Sequence, residues 1–350
     1  VRRVVLGVAA ALGLGSALSP APAAAAGPLT QVVIGVVPSV PAAATWIAVE
    51  KGYFRDAGVD ARLEKIDSAS TAISLLATGR MQVVEGGLAA GYWNALARDL
   101  PVVMALERGS SPVYHDLLVR PGLAGQIKTV ADLKGRTVAL VAPGSSAMYE
   151  VGKTLETAGL TLKDVDVKYM SFQQMGPALA NQAIDVADEV PPFGAVFAAE
   201  KLGVRWIDPD DYIKPQPTSF IAYLANTDWT RQNPELARKF FLALVRAGRD
   251  YCQAYHHGPN RQEVEDILWK YHAVSDRALL HSMAWQARDP NGRFNMASVL
   301  DVQSWFFKEG LITKTFPAGR LVDASYADYA VQHLPPFQVI NTSDKLAGCR

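Results

Sequence analysis

Two α/β lobes followed by a helical region are the fold class that the sequence predicts. Three observations carry this. Strand and helix patterns alternate from Gln31 to Asn226 in two successive blocks, most strand patterns end in a short loop rich in Gly, Pro or Ser, and everything after Thr227 reads as helix. Such alternation argues for mostly parallel sheets with helices on both faces. A chain of 350 residues, 49% hydrophobic, has enough apolar material for one large or two medium cores.

The first block reads in order from Gln31. "QVVIGVVPSV" is a strand that ends in a Pro-Ser loop, and "AAATWIAVEKGYF" is a helix stopped at Gly52. "ARLEKI" is a strand, and "DSASTAISLLATG" sets Asp67, Ser68 and Ser70 before a short helix that Gly79 ends. "MQVVEGG" is a strand with a Gly turn, followed by a helix over Gly91 to Arg98; "PVVMALERGSS" and "YHDLLVRPG" are two more strands.

The second block repeats the order. Val138 to Val141 is apolar throughout and reads as a buried strand. Met148, Val151, Leu155 and Ala158 then recur at helical spacing, on one face of a helix that Gly159 ends. Between them lie Pro143, Gly144, Ser145 and Ser146. A helix start leaves backbone N–H groups without partners and carries the positive end of the dipole, so a serine there either caps the helix or shares its donors with an anion. "VDVKYMSF", "IDVADEV", "VRWIDP" and "TSFIAYLAN" are further strands, with helices over "QMGPALANQA" and "PPFGAVFAAEKLG". After Thr227, Asn233 and Pro234 open a long helix that ends near His256 and His257, which suit the negative end of its dipole rather than a metal.

Charge and composition exclude several classes. Formal charge is zero over the chain, and without Arg2 and Arg3 the 34 basic residues become 32 against 34 acidic, a net charge of minus two. No basic field points to nucleic acid. Arg2 and Arg3 precede the apolar run Val4 to Leu18 and then "SPAPAAAAG". That order predicts an export signal over residues 1–26, cleaved near Ala26, and a periplasmic mature chain with no membrane anchor, because the run falls short of the roughly 20 apolar residues of a span. Cys252 and Cys349 either pair in an oxidising compartment or stay apart. They sit in no histidine cluster, so no metal site is expected, and no cofactor motif is present.

Ligands of open α/β sheets bind beyond the carboxyl ends of the strands. The loops there are "VPSVPAAATW", "IDSAS", "VEGGLAAGYW", "ERGSSPVY", "APGSSAMY" and "DEVPPF". Their hydroxyls and helix starts offer directed hydrogen bonds, and Trp46, Tyr92, Trp93, Tyr149 and Phe193 offer apolar walls. Arg108 is the lone basic candidate in these loops, and His115 begins a strand where a structural role is expected.

Four stretches carry a family resemblance: "TWIAVEKGYFRDAGVDARL", "IKTVADLKGRTVALVAPGSS", "GLTLKDVDV" and "SWFFKEGLITKTFPAGRLVDASYADYA". Together they resemble the solute-binding proteins of the nitrate, sulfonate and taurine class of ABC transporters, the SsuA/THI5-like or NMT1-like family. The resemblance implies a type II periplasmic-binding-protein fold, two α/β domains joined by two hinge strands. Mapped here, lobe 1 is 30–117 plus 219–350 and lobe 2 is 118–218, with hinges near Tyr114 to Val119 and Thr218 to Ala225. It implies ligand contacts at Ser39, Thr45 and Trp46, at Asp67, Ser68 and Ser70, and at Gly144, Ser145, Ser146 and Ala147; Glu85, Gly86 and Phe193 join them from neighbouring loops.

The family often carries an acid before the proline that follows "DA", where Pro191 stands here; Glu189 is two positions earlier, on the same side of an alternating strand. Glu85 and Glu189 therefore either face the cleft or form salt bridges. Two ligands fit: a sulfonate-, taurine- or nitrate-like anion held by Ser39, Ser70, Ser145 and Ser146, or a thiamine-type pyrimidine stacked on Trp46 and bonded by Glu189. The resemblance implies a monomer that delivers its solute to an ABC permease with its ATPase, docking at the membrane without anchoring in it. A ligand sensor docking a membrane partner is the other class. No Gly-x-Ser-x-Gly elbow, His-Glu-x-x-His pair or P-loop occurs, so neither catalysis nor a catalytic residue is expected.

Overall fold

The computed structural model describes Val1, residues 28–271, Val274 and residues 276–350. The expected export signal lies, apart from Val1, outside the described residues. β1 (Thr30–Val36), β2 (Val59–Lys65), β3 (Val83–Gly87) and β4 (Val102–Ser110) build one sheet; β5 (Asp116–Val119), β6 (Thr137–Leu140), β7 (Asp166–Tyr169), β8 (Val186–Glu189) and β9 (Val204–Ile207) build a second; and β10 (Ser219–Asn226) returns to the first. The orders are β2-β1-β3-β10-β4 and β7-β6-β8-β5-β9, the same pattern twice. The molecule is a bilobed α/β fold.

Each sheet is mixed, where the sequence predicts mostly parallel pairing. β1 runs parallel to β2 and β3, but β10 is antiparallel to β3 and β4; β6 runs parallel to β7 and β8, but β5 is antiparallel to β8 and β9. The exceptions are the two strands that have just crossed from the other sheet. They enter from the carboxyl ends of the others and so run against them. All of β10 is buried, which explains its unbroken apolar run, "FIAYLA". Asp116 and Leu117, at the expected end of lobe 1, pair with Glu189 and Asp188 in the second sheet.

The crossing segments are 111–115 and 208–218, and Asp210 ties them together. Its Oδ1 accepts from Ser111 Oγ at 2.8 Å and from Thr218 Oγ1 at 3.1 Å, and Ser111 Oγ in turn accepts from Thr218 N at 2.8 Å.

Helix Pro234–Tyr255 packs on helices Ala43–Glu50 and Ser325–His333. Its Phe240, Phe241 and Tyr251 are fully buried, each such ring contributing on the order of 1.5–3 kcal/mol. Helix Met296–Lys308 touches β10 and also helix Ser146–Glu156 of the other lobe, where Tyr149 Oη donates to Asp301 at 2.7 Å and Trp305 Nε1 to Glu156 at 3.0 Å.

The C-terminal region is less helical than the sequence predicts, since 283–295 and 334–350 run as loops. Other bonds hold them. Cys252 and Cys349 form a disulfide, Ser110 bridges to Ala287, and the tail docks on the end of helix Pro234–Tyr255. His256 and His257, expected as dipole partners, serve that docking: His256 Nε2 bonds Gly348 O at 3.1 Å and His257 Nδ1 bonds Asp344 at 2.7 Å. Among the described residues no cluster of His, Cys, Asp and Glu suits a metal ion, and no helix is long and apolar enough to cross a membrane.

Candidate functional site

A cavity lies between the lobes, where the loops after β1, β2 and β3 meet those after β6, β7 and β8. It offers about 50 Å³ to the centre of a water-sized sphere, against about 10–15 Å³ for one water. That is room for a small solute. The lobes touch around it: Val40 N donates to Pro191 O at 3.2 Å, Ser70 Oγ to Pro143 O at 2.9 Å, and Ala90 N to Gly144 O at 2.8 Å.

Two helix starts open onto this space from opposite lobes. Helix Ala69–Ala77 is capped by Ser68, whose side chain accepts from Thr71 N, and Asp67, Ser68 and Ser70 all border the cavity. Helix Ser146–Glu156 begins after Ser145, which holds the N-cap position without a side-chain bond; its Oγ is buried and has no partner in the protein. Ser145 and Ser146 also border the cavity, as do Ser39 and Gly86. A Cβ at Gly87 would overlap Ser146 Oγ, so glycine lets the serine reach across.

The other expected residues lie behind or beside the cavity. Thr45 Oγ1 donates to Glu85 Oε2 at 2.7 Å, and Arg108 Nε donates to the same oxygen at 3.3 Å, so Glu85 faces partners of its own lobe. Trp46 is stacked on Tyr271 with centroids 5.1 Å apart and is no wall for a ligand. Gly144 is in the left-handed region at φ 62°, pressed on Ala90, and Ala147 is buried in the first helical turn.

Glu189 is buried with both oxygens unpartnered, and burial, reinforced by Asp188 and Asp116, pushes its carboxyl well above the usual range. The residue that borders the cavity there is Val190; alternation then turns Glu189 and Pro191 the other way. Neither Trp46 nor Glu189 borders the cavity, so this geometry does not favour the pyrimidine mode built on them. Phe193 stacks on Phe172, and Phe172 is the ring that borders the cavity. Tyr92, Trp93 and Tyr149 are core residues, with Tyr92 Oη bonded to Leu321 O and Trp93 packed edge-on against Phe306.

Arg108 and His115 both border the cavity. Arg108 is 2% exposed, and Arg288, also buried, donates to Pro41 O at 2.9 Å on the same side. Burial pushes the carboxyls of both Glu107 and Glu85 up, against the lowering effect of Arg108 and Arg288, and Asp289 adds to the shift of Glu107. His115, expected to be structural, bonds Glu150 through Nδ1 at 2.6 Å while its Nε2 has no partner. The sequence signal for both was thin, one lone base and one histidine at a strand start.

The model of a family described as "NMT1/THI5 like" matches residues 41–256. The chain belongs to the NMT1/THI5-like family. A curated relative, the formylaminopyrimidine-binding protein of Halalkalibacterium halodurans, is 26% identical over 209 residues, 57% of this chain and 59% of that protein. The chain thus spans about three fifths of that relative's length.

Among solved structures, the periplasmic nitrate-binding protein NrtA from Synechocystis PCC 6803 aligns with a TM-score of 0.71 at 15% identity, covering 92% of each chain. The alkanesulfonate-binding protein SsuA from Xanthomonas axonopodis pv. citri, solved with MOPS, aligns at 0.67 and 16%, over 85% of this chain and 98% of that one. A desulfurization enzyme, DSZB, also shares the fold, at 0.58 and 14% over 87% and 99%. At such identities the likeness is one of fold, which this chain shares with both binding proteins and an enzyme.

Proposed function

We propose that this NMT1/THI5-like protein is an extracytoplasmic solute-binding protein that captures a small organic anion of the sulfonate class between its lobes and delivers it to an ABC permease. One observation carries the reading. Two helix N-termini from opposite lobes, with the hydroxyls of Ser68, Ser145 and Ser146, border one cavity between the lobes that Arg108 also lines. Helix starts and hydroxyls bind sulfonate or nitrate oxygens as donors, and a neighbouring guanidinium adds charge. Asp67 is exposed at the rim, where solvent screens it.

Capture works by population shift. A solute seated on Ser39, Ser68 and Arg108 gains the donors of Ser145 and Ser146 only when the lobes close about the 111–115 and 208–218 crossings. That difference in affinity moves the equilibrium toward the closed form, the shape a permease can recognise.

Calorimetry with methanesulfonate, taurine, nitrate and a formylaminopyrimidine tests the reading. A sulfonate should bind, and replacing Ser145 and Ser146 together with Ala should weaken it about tenfold or more, two hydrogen bonds being worth roughly 1–3 kcal/mol. Binding of the pyrimidine with no response to any anion would overturn the anion assignment.

A further inference from the structure

We propose that His115 is a hydrogen-bond donor to the captured solute, and that Glu150 is the positioning residue that keeps the proton on Nε2. The proposal rests on the solute-binding reading of the cavity and adds a selectivity rule to it.

The geometry is specific. His115 lies in the crossing segment before β5, is 2% exposed, and borders the cavity. Its Nδ1 edge is engaged by Glu150 Oε1 at 2.6 Å, from the helix whose first turn carries Ser146. Phe220, on the other crossing strand, stands against the ring at 5.9 Å and 71° and fixes its plane. Nε2, on the opposite edge, is buried and has no partner in the protein. A buried ring nitrogen without a partner is costly, so a ligand that satisfies it gains more than an exposed contact would give.

Proton counting then fixes what Nε2 offers. If Glu150 is protonated on Oε1, its O–H donates to Nδ1 and the neutral imidazole carries its hydrogen on Nε2. If Glu150 is ionised and His115 is imidazolium, Nδ1–H donates to the carboxylate and Nε2 again carries hydrogen. Two states leave Nε2 bare: an ionised Glu150 beside a neutral Nδ1–H ring, and a protonated Glu150 with its proton on Oε2, whose Oε1 accepts from Nδ1–H.

The surroundings disfavour the first of these, and the 2.6 Å separation disfavours the second, since an ordinary N–H···O=C bond runs about 2.7–3.2 Å. The charged groups that face the pair are acids from three elements: Asp188 on β8, Asp116 on β5, and Asp208 and Asp210 at the second crossing. Asp116 is answered by Arg205 at 2.7 Å; Asp188 has no partner for either oxygen. Burial, with Asp208 and Asp210 adding to it, holds Glu150 well above the carboxylate range. At Glu150 itself, wedged near Asp208, Asp210 and Asp188, an ionised carboxylate unanswered by an imidazolium is opposed by both burial and repulsion. Nε2 therefore presents N–H to the cavity. It donates to a sulfonate, nitrate or carbonyl oxygen and rejects a solute that places an N–H or ammonium there, because two donors would face each other.

Nitrogen NMR of the histidine-labelled full chain, with the signal assigned through His115→Gln, reads the proton directly. A protonated, pyrrole-type Nε2 at neutral pH is expected; a bare, pyridine-type Nε2 would overturn the proposal. Calorimetry with methanesulfonate, taurine, nitrate and a formylaminopyrimidine supplies the second arm. Whichever probe the wild type binds should bind His115→Phe about tenfold more weakly, as for a lost hydrogen bond to a charged or strongly polar group. Glu150→Gln, which can still engage Nδ1, should retain more affinity than Glu150→Ala. Equal binding to wild type and His115→Phe sinks the role of His115 and leaves the serine site standing. Binding of the pyrimidine alone, lost in His115→Phe, sinks the sulfonate assignment and supports the donor.

Discussion

Ser70 Oγ, on the first lobe, donates to the carbonyl oxygen of Pro143, on the second, at 2.9 Å. Both loops border the cavity, so under the proposed closure this bond forms only in the closed form. Ser70→Ala should therefore weaken solute binding through closure, with little loss of stability in the open protein, since Ser70 is half-buried and not a cap. One net hydrogen bond is worth about 1 kcal/mol, close to a fivefold loss of affinity by calorimetry. A thermal midpoint that falls as much without solute as with it would count against the closure role.

Much of this was legible in the sequence, and the part that was not has a common cause. The run "TSFIAYLAN" marks a buried strand whatever its direction, and "DSASTAISLLATG" marks a capped helix, so β10 and the Ser68 cap were readable from local pattern. The six loops at strand ends were readable too, because topology gathers them whichever residues pair later. What local pattern does not contain is partner choice. Trp46 meets Tyr271, Glu85 meets Arg108, and Phe193 meets Phe172, each pairing made by the closed fold. The antiparallel run of β5 and β10 was hidden for the same reason, since direction depends on the lobe from which a strand arrives.

The disulfide between Cys252 and Cys349 closes a loop across a sequence separation of 97. Cross-linking a loop of that length removes unfolded-state freedom worth roughly 2–5 kcal/mol. Replacing both cysteines with Ala, or adding reductant, should lower the urea midpoint accordingly. The tail would keep its bonds from Asn341, Asp344 and Ala347 to the end of helix Pro234–Tyr255, so the native state changes little and a loss near the upper figure is expected. Unchanged unfolding under reductant would show that the link contributes nothing.

Stability should respond to pH through Asp208. Burial pushes its carboxyl up to about 6, against the lowering effect of the Asp210 amide and of His115. The folded state then binds this proton more tightly than the unfolded state, so the contribution is full below the usual aspartate range, near 4, and is lost as pH rises through about 6. Asp208→Asn keeps an oxygen to accept from Asp210 N, a bond of 2.9 Å in the native protein, but cannot titrate. The stability of wild type relative to Asp208→Asn should fall as pH rises across that window in parallel urea titrations. A difference that stays flat would mean that Asp208 titrates as it does in the unfolded chain.

Asp210 supplies the last test, because one carboxyl oxygen serves both crossings between the lobes. Oδ1 accepts from Ser111 Oγ, Thr218 Oγ1 and Gln216 Nε2, and Thr218 is fully buried. Removing the carboxyl leaves the Thr218 hydroxyl without this acceptor, a loss of about 1–3 kcal/mol for each buried group left unsatisfied. Asp210→Ala should cost about that much in urea unfolding, whereas Asp210→Asn, which retains one acceptor oxygen, should cost less than half. The crossings should also loosen. The amide of Thr218, which donates to Ser111 Oγ at 2.8 Å, should exchange its hydrogen faster in Asp210→Ala than in wild type, while amides deep in β1 keep their protection. If exchange at Thr218 were unaltered, the two crossing segments would be held by their own sheets, and Asp210 would be a passenger on the fold.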